Sequence, residues 1–336
     1  MKILIDSYNT INQNKFGGMQ TKIKGYIDHM SPLAEIKKFY KWTDIIDDYD
    51  IIHIFMASSE ECGLVKYAKG KKKPIVVSSV ISPSGGLKVS YNQIANRLLH
   101  IHSGYWMQGF VMQNADYVIT ETNLEKKFIC KHYHLSPEKV VVIPNAVAPP
   151  KGIDGLSFSE LTGITGKFIL QVGRFDPNKN QLRTIQAVNN SDMQLVLIGG
   201  PDKDNLSYFE QCKAIAGANV HFLGWVDHDS PILGTAFRDA QTLVIPSQKE
   251  IFGNSMFEAG IHGTNLVVTS SLPLDEWAFE KYCLVVNPTD SSDIRNKLKE
   301  SYEMPKNIDL QQIIIRDFSW EYVTRTHMGI YKKIVG

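Results

Sequence analysis

Short β-branched runs alternate with longer helical patterns along the chain, and this alternation is the strongest constraint on its fold. Strands that alternate with helices form parallel sheets covered on both faces. Eleven runs are predicted as strands: residues 2–6, 51–55, 74–80, 117–120, 140–143, 168–172, 194–198, 220–223, 242–245, 266–269 and 283–285. Because a turn-rich stretch divides them into two sets, the sequence predicts an α/β chain with two doubly wound, Rossmann-like domains.

The dividing stretch is rich in residues that end regular structure: Pro144, Pro149, Pro150, Gly152 and Gly155. A chain of 336 residues is also longer than the roughly 150 residues of one ordinary domain. We therefore predict a first domain over residues 1–150 and a second over 151–318. Apolar residues at partly helical spacing predict that residues 319–336 form a packing helix.

Composition excludes several classes of protein. The formal net charge is +1, so the chain has no overall attraction to nucleic acid. The four cysteines, Cys62, Cys130, Cys212 and Cys283, form no C-x-x-C pair, which argues against a zinc ribbon or disulfide framework and favours reduced thiols in the cytoplasm. The first residues resemble a strand rather than a signal peptide, and no apolar stretch reaches the roughly 18 residues of a membrane span.

Residues 249–260 carry the most specific chemical pattern. Glu250 lies in a loop after a predicted strand, and Glu258 lies seven residues later in a predicted helix over residues 255–262. A glycine turn at a helix N-terminus offers backbone N–H groups to phosphate, while carboxylates accept hydrogen bonds from sugar hydroxyls. A nucleotide-sugar has both groups. The alternatives are a capping box of Ser255 and Glu258, and a solvated acid at Glu250.

A second polar loop follows the predicted strand over residues 168–172. Arg174 offers a planar fork for phosphate oxygens, and Lys179 offers a mobile charge. The alternative is a surface ion pair between Arg174 and Asp176. Pro177 is expected at an early helical position.

Three weaker features also occur at predicted strand ends. Gly17 and Gly18 could bring backbone against phosphate, and Gly200 could line a nucleotide, although ordinary turns explain these glycines equally well. Trp225 could offer an aromatic face to a base, the alternative being a buried core residue.

With these pieces assembled, the chain resembles the retaining family-4 glycosyltransferases of GT-B fold. The resemblance covers the second half well and the first half loosely. The matching residues are 142–145, 172–180, 199–200, 222–224, 250–258 and 318–320. It implies two Rossmann-like domains facing a central cleft, with the last helix crossing back to the first domain.

The resemblance also implies a role for each matching position. Arg174 and Lys179 would bind the donor diphosphate and, with Glu250 near the transferred sugar, form the catalytic group. Glu258 would bind the ribose hydroxyls. The remaining donor-binding positions would be Gly17, Gly18, Gly200, Trp225, Ile251, Phe252, Gly253 and Asn254. Cationic side chains would replace a divalent ion, so the enzyme would need no metal or other cofactor.

The expected function is therefore hexosyl transfer with retention, from a nucleoside diphosphate sugar to a glycan or lipid-linked acceptor in polysaccharide biosynthesis. One departure is the absence of the histidine that many relatives carry after the strand over residues 74–80; Ser79 or Ser82 would replace its hydrogen bonds. The alternatives are a GT-B sugar-nucleotide epimerase and a catalytically silent partner subunit.

The first half carries an uneven charge, +5 over residues 1–150 against −4 over the remainder. Residues 91–111 add an apolar series interleaved with Arg97, His100 and His102. One interpretation is a core-packed helix followed by an irregular stretch broken at Gly104 and Gly109, with the basic residues as solvated surface. The other is a face for the acceptor or for anionic lipid, which would place a cytoplasmic enzyme peripherally at the inner face of the membrane.

Overall fold

Two six-stranded parallel sheets form the framework of the chain. The computed structural model describes residues 1–9, 11, 18–99, 102–148, 153–250 and 252–336, without the side chain of Arg97. The chain divides into two compact units, the first formed by Met1–Ala146 with Trp320–Gly336 and the second by Val147–Ser319. Two doubly wound α/β sheets are thus confirmed, because each sheet is parallel and helices connect most of its strands.

The first unit begins with the strand β1 and ends its continuous part with β6. Its elements are β1 (Lys2–Ser7), α1 (Gly18–Met30), β2 (Glu35–Lys38), β3 (Ile51–Phe55), α2 (Cys62–Gly70), β4 (Ile75–Ser78), α3 (Gly86–Leu99), α4 (Gly104–Asn114), β5 (Tyr117–Thr120), α5 (Asn123–His132) and β6 (Val140–Val142). The strands lie in the order β2-β1-β3-β4-β5-β6. The sequence pattern does not predict the strand β2, because this charged edge strand has only one apolar residue, Ile36.

The second unit repeats the same architecture with different strand order. Its elements are α6 (Phe158–Thr162), β7 (Phe168–Val172), α7 (Gln181–Val188), β8 (Gln194–Ile198), α8 (Leu206–Ile215), β9 (Val220–Gly224), α9 (Pro231–Asp239), β10 (Thr242–Ile245), α10 (Asn254–Gly260), β11 (Asn265–Thr269), β12 (Cys283–Val286), α11 (Ser291–Glu303) and α12 (Ile308–Asp317). The strands lie in the order β12-β11-β10-β7-β8-β9. The order reverses between β7 and β10, so the loops that follow these two strands flank the topological switch point where such sheets bind ligands.

The last helix, α13 (Trp320–Val335), belongs to the first unit and is anchored there by buried polar groups. The hydroxyl groups of Tyr331 and Tyr26 are 2.5 Å apart, and the Tyr331 hydroxyl is 2.7 Å from Nδ1 of His53. The other ring nitrogen of His53 is 2.9 Å from the Ser78 hydroxyl. This network joins α13 to α1 and to two central strands, since all four side chains are buried and paired.

The first unit also buries two carboxyl groups beside the switch point of its sheet, which lies between β1 and β3. Asp6 lies at the carboxyl end of β1, and Glu61 lies between β3 and α2, where its side chain is 0% exposed. Burial, reinforced by the Asp6 charge, raises the pKa of Glu61 from 4.5 to about 8. Burial also raises the pKa of Asp6, against the opposing charge of Lys41, whose Nζ is 3.8 Å from Asp6 Oδ2.

We expect Glu61→Gln to remove a pH-dependent loss of stability. Because the pKa of Glu61 is higher in the folded chain than in the unfolded chain, the folded state retains its proton between pH 4.5 and about 8, and stability falls as pH rises through that window. The glutamine variant should unfold like the parent near pH 5 and be more stable at pH 8, by about 1–3 kcal/mol in urea denaturation. The exposed Glu138→Gln is the matched control, and parallel pH profiles for parent and Glu61→Gln would contradict the expectation.

Candidate active site at the β7–β10 switch point

The loops after β7 and β10 are joined by backbone and side-chain hydrogen bonds. Asn178 donates to the carbonyl oxygen of Lys249 at 3.0 Å and accepts from the Lys249 backbone N–H at 3.0 Å. Asn180 donates to the carbonyl oxygens of Pro246 and Pro288, at 2.9 and 2.7 Å. The two asparagines therefore fix Lys179, which lies between them, against the β10 loop.

The turn after β7 is organised by Asp176. Its Oδ1 accepts from the Lys179 backbone N–H at 3.1 Å, and its backbone carbonyl accepts from the same N–H at 3.0 Å. The chain then takes a left-handed φ of 64° at Asn180, and α7 begins only at Gln181. The expectation that Pro177 stands early in this helix is wrong, since the turn holds it three residues before the helix cap.

Lys179 and Glu250 form a direct ion pair across the switch point. Nζ of Lys179 is 2.7 Å from Oε2 of Glu250. The same carboxylate oxygen accepts from the Ser247 hydroxyl at 3.1 Å, and the Glu250 backbone N–H donates to Ser271 Oγ at 3.1 Å. Glu250 is therefore not a simple solvated acid. Because the pair is mostly withdrawn from water, separating it would leave each charged group in need of a new partner.

Arg174 lies beside this pair and contacts two carboxylates. Its Nε and Nη2 are each 3.3 Å from Asp176 Oδ2, and Nε is also 3.2 Å from Asp202 Oδ2. The expected surface pair with Asp176 is present, and the contact with Asp202 was missed because it joins two different strand ends. Since the Arg174 side chain is 55% exposed, these contacts contribute little to stability and leave it free to turn towards a ligand.

Glu258 has a partner that the sequence pattern did not indicate. His228, in the loop after β9, places Nε2 at 3.1 Å from Glu258 Oε1, and this hydrogen bond raises the pKa of His228. The capping box of Ser255 and Glu258 is wrong. The residue before α10 is Gly253, in a left-handed conformation with φ of 71°, and Ser255 lies inside the helix.

The end of the β10 loop is buried, with its aromatic side chain turned into the core. Phe252 is buried, with its ring 4.4 Å from the ring of Phe257 in a stacked arrangement. Its side chain therefore anchors the turn through Gly253 into α10, and Asn254 is the first helical residue. Ile251, which the sequence placed in the donor site, lies outside the described residues.

Neighbouring strand ends add a close backbone contact and an aromatic side chain. A Cβ atom on Gly199, which has φ of 133°, would lie 2.1 Å from the carbonyl oxygen of Gly173, so the turns after β7 and β8 require glycine here. A Cβ on Gly200 would lie 2.4 Å from Nε1 of Trp225. Trp225 is 45% exposed, so the alternative of a buried tryptophan is wrong. Its indole lies against Gly200, at the ends of β8 and β9, on the side of β7 away from β10.

The first unit holds the other positions that the sequence singled out. Gly18 is the first residue of α1, and Gly17 lies outside the described residues. Ser79 is buried and its hydroxyl donates to Glu125 Oε1 at 2.7 Å, whereas Ser82 is exposed and pairs with Ser84 at 3.3 Å. Ser79 is therefore committed to the interior and does not take over a ligand contact of the missing histidine.

Among the described residues there is neither a cluster of metal-ligating side chains nor a helix that could cross a membrane. No group of three or more histidine, cysteine, aspartate or glutamate side chains there is arranged to hold a metal ion. Within the same part of the chain, every helix is too short or too polar to cross a membrane.

Comparison with known families gives two matches that together take in most of the chain. The family model described as Glycosyl transferases group 1 matches residues 153–316, and the model described as Glycosyltransferase Family 4 matches residues 20–149. The first match contains Arg174, Lys179, Glu250 and Glu258 together with the loops that hold them.

Two relatives show how far the sequence similarity extends. An uncharacterized glycosyltransferase of Methanocaldococcus jannaschii is 25% identical over 314 residues, which cover 85% of this chain and 76% of the relative. The N-acetylgalactosamine-N,N'-diacetylbacillosaminyl-diphospho-undecaprenol 4-alpha-N-acetylgalactosaminyltransferase of Campylobacter jejuni is 25% identical over 163 residues, or 47% of this chain. The match takes in 41% of that protein, well under two thirds of its length.

Two solved structures share the fold over nearly the whole chain. Sucrose-phosphate synthase from Thermosynechococcus elongatus has a TM-score of 0.75 at 17% identity, covering 99% of this chain and 98% of that one. Anabaena HepE in complex with UDP has a TM-score of 0.74 at 16% identity, covering 99% and 100%. At these identities the likeness establishes the fold alone.

We expect Gly200→Ala to displace the Trp225 indole. The added Cβ would lie 2.4 Å from Nε1 of the ring, and a half-exposed side chain yields more easily than the backbone. Tryptophan emission of the variant should shift to longer wavelength, and acrylamide should quench it more strongly than in the parent.

Two further variants serve as controls for the tryptophan emission measurement. In a Trp225→Phe background, Gly200→Ala should leave the emission unchanged, which assigns the signal to that one indole. The control Gly63→Ala adds a Cβ with no atom within 4 Å and should behave like the parent. Unaltered emission of Gly200→Ala in the Trp225-containing chain would contradict the observed packing.

Proposed function

This chain belongs to family 4 of the glycosyltransferases and has the GT-B fold, and from that premise we propose that it moves a hexose with retention from a nucleoside diphosphate sugar to an acceptor hydroxyl. The observation that carries the proposal is the Lys179–Glu250 ion pair, at 2.7 Å, beside the switch point of the second sheet. This is the edge at which open parallel sheets bind nucleotides.

The Lys179–Glu250 pair has one group for the diphosphate of the donor and one for its hexose. On donor binding, the ammonium group of Lys179 turns to the diphosphate, and the carboxylate of Glu250 is released to accept hydrogen bonds from hydroxyls of the hexose. Ser247 and Ser271 keep Glu250 oriented during this exchange, since both contact it without charge. After the exchange, each charged group again has a partner. A buried charge left without a partner would cost roughly several kcal/mol.

Arg174 would complete the diphosphate site. Its guanidinium group is half exposed and held by two acidic side chains, so a diphosphate with greater charge density can displace them. In a front-face mechanism, Arg174 and Lys179 stabilise the leaving diphosphate, and a leaving phosphate oxygen accepts the proton of the acceptor hydroxyl. No enzymic nucleophile and no metal ion are then required.

The other end of the nucleotide would meet Glu258 and Trp225. We assign the ribose hydroxyls to Glu258, whose carboxylate is already a hydrogen-bond acceptor for His228. The half-exposed indole of Trp225 offers a flat apolar surface for the base. The complex of HepE with UDP supports a nucleoside diphosphate donor for a chain of this fold.

For the acceptor, we propose a hydroxyl of a glycan or of a lipid-linked saccharide made in the cytoplasm. The Campylobacter relative supports the lipid-linked class, because its name describes an acceptor on diphospho-undecaprenol. An acceptor of this class would bring the enzyme to the inner face of the membrane.

The direct test is product formation from a panel of UDP-, GDP- and ADP-hexoses in EDTA-treated buffer. We expect release of the nucleoside diphosphate with one donor, an acceptor-dependent increase in that release, and a product whose anomeric configuration by NMR matches the donor. A sugar nucleotide that changes configuration without transfer would establish an epimerase. Absence of turnover and of nucleotide-dependent thermal stabilisation would indicate a catalytically silent subunit, and activity restored only by Mg²⁺ or Mn²⁺ would overturn metal independence.

Substitutions of the charged side chains should affect binding of different parts of the donor. Arg174→Ala and Lys179→Ala should each weaken nucleoside diphosphate binding about 10–150-fold, the equivalent of one charge-assisted contact, in calorimetric titration. Both should weaken binding of the nucleoside alone much less. Lys213→Ala, a half-exposed lysine on α8 of the same unit, is the matched control and should bind like the parent.

Carboxylate variants complete the same titration. Glu258→Gln should weaken both nucleoside and nucleoside diphosphate, whereas Glu250→Gln should leave plain diphosphate binding nearly intact and lower the transfer rate. If Glu250→Gln loses nucleoside affinity and Glu258→Gln does not, the two assignments are exchanged. Parent-like diphosphate affinity in both Arg174→Ala and Lys179→Ala would remove the diphosphate site from this loop.

A further inference from the structure

The helix α3 turns its apolar side outward. Four large apolar residues at helical spacing, Leu87, Tyr91, Ile94 and Leu98, are 89%, 71%, 58% and 73% exposed. We call these four residues the α3 apolar face. Most surface helices have the opposite arrangement, because burial of the apolar stripe is what stabilises them.

The inner side of α3 is correspondingly polar. Asn96 is buried, and it exchanges hydrogen bonds with Ser103, at 2.9 Å from its amide to the hydroxyl and 3.2 Å from the Ser103 N–H to its oxygen. Gln93 donates to the carbonyl oxygen of Tyr105 at 2.8 Å. Because directed hydrogen bonds fix which side of α3 packs inward, the outward apolar side is a specified feature of the fold.

The surroundings of this face are basic. Lys88 on α3 is exposed, as are Lys127 and Lys131 on the neighbouring helix α5. The two helices are in contact where Ser90 Oγ and His132 Nδ1 are 2.8 Å apart. The face is thus an apolar strip bordered by positive charge.

This charge pattern favours an anionic lipid surface over a second copy of the chain. In a symmetric pair, Lys88, Lys127 and Lys131 of each copy would lie near the same residues of the other, and like charges oppose such a contact. A helix of 14 residues is only about 21 Å long, too little for a stable interface by itself. Lipid headgroups, in contrast, neutralise the lysines while the apolar side chains enter the acyl boundary.

We propose that the α3 apolar face is a membrane-docking surface that binds anionic bilayers with α3 lying in the interfacial plane. Tyr91 lies in the middle of the face, and its amphipathic ring suits the headgroup level. Membrane binding by this surface does not require the proposed transfer reaction. Vesicle binding and sugar transfer are therefore tested by separate measurements.

The structure also narrows the segment that the sequence indicated for lipid or acceptor contact, residues 91–111. Its second half, in α4, is largely packed: Trp106 stacks on His102 at 4.2 Å and on Phe110 at 5.5 Å between ring centroids. The first half is exposed, so the interpretation of the segment as a core-packed helix is wrong for α3. The expected irregular stretch broken at Gly104 and Gly109 is also wrong, because α4 runs through both glycines. The outward side chains extend from position 87 rather than from 91.

The test is co-sedimentation of the full chain with extruded vesicles of phosphatidylcholine alone or with one third phosphatidylglycerol. We expect binding to the anionic vesicles at low salt. Binding to the same vesicles should weaken at higher salt, because salt screens the charges of the lysines. Ile94→Gln/Leu98→Gln should reduce binding about tenfold or more, since two exposed apolar anchors are lost. Lys127→Gln/Lys131→Gln should reduce binding to the anionic vesicles and flatten the salt dependence.

The matched control replaces two apolar residues of similar exposure in the second unit, Leu206→Gln/Ile308→Gln, and should bind vesicles like the parent. Thermal melting of each variant verifies that the surface substitutions leave the fold intact. Equal binding to neutral and anionic vesicles, or parent-like binding by Ile94→Gln/Leu98→Gln, would overturn the proposal. So would sedimentation equilibrium showing a dimer that this double variant dissociates, because the face would then be an interface between copies.

Discussion

The hydrogen bonds that Asn178 and Asn180 make with the β10 loop are the constraint on which the rest of the site depends. The order of the second sheet brings the ends of β7 and β10 side by side, but adjacency alone does not set the height or direction of a flexible lysine. The two asparagines hold the backbone on either side of Lys179, so its side chain meets Glu250 at 2.7 Å. The site is therefore organised by neutral amide contacts, which survive when the charged pair opens.

A second consequence is that the positive charges are balanced before any ligand arrives. Lys179 is paired with Glu250, and Arg174 with Asp176 and Asp202. A balanced site resists nonspecific anions, because any anion must compete with carboxylates that are already in place. A diphosphate carrying sugar hydroxyls can do so, since it offers charge to the cations and hydrogen bonds to the released carboxylates. Such a site would discriminate a complete donor from free phosphate.

In the first unit, polar side chains lie in the interior rather than at a strand-end loop. Hydrogen-bonded side chains are placed inside, in the group of His53 with Tyr331 and in the inner side of α3, while apolar residues of α3 are left outside. Buried polar networks specify one packing arrangement, and this allows a helix to hold an unfavourable orientation towards water. A contiguous exposed apolar strip, unlike single exposed apolar residues, is typical of an interaction surface, which is the basis for proposing a lipid surface.

The sequence by itself determined the elements whose signals are local. Ten of its strand predictions lie within one residue of the observed bounds at each end, because β-branched runs and glycine turns report nearby backbone preference. The exception is the fourth strand, β4, which is confined to Ile75–Ser78 although a run over residues 74–80 was predicted. The polar residues that follow β7 and β10 were also visible, since chemistry-bearing loops at strand ends are a property of the chain order. The roles given to those residues remain predictions.

Only the tertiary structure decided features that depend on distant partners. The edge strand β2 pairs with β1 despite its charged sequence, and α7 starts late because Asn180 bonds to Pro246 and Pro288. Glu258 meets His228 rather than capping its own helix, because the loop after β9 lies beside α10. The orientation of α3 follows the same rule. Periodicity shows that a helix has an apolar side, but the packing of Gln93 and Asn96 decides whether that side faces the core or the surroundings.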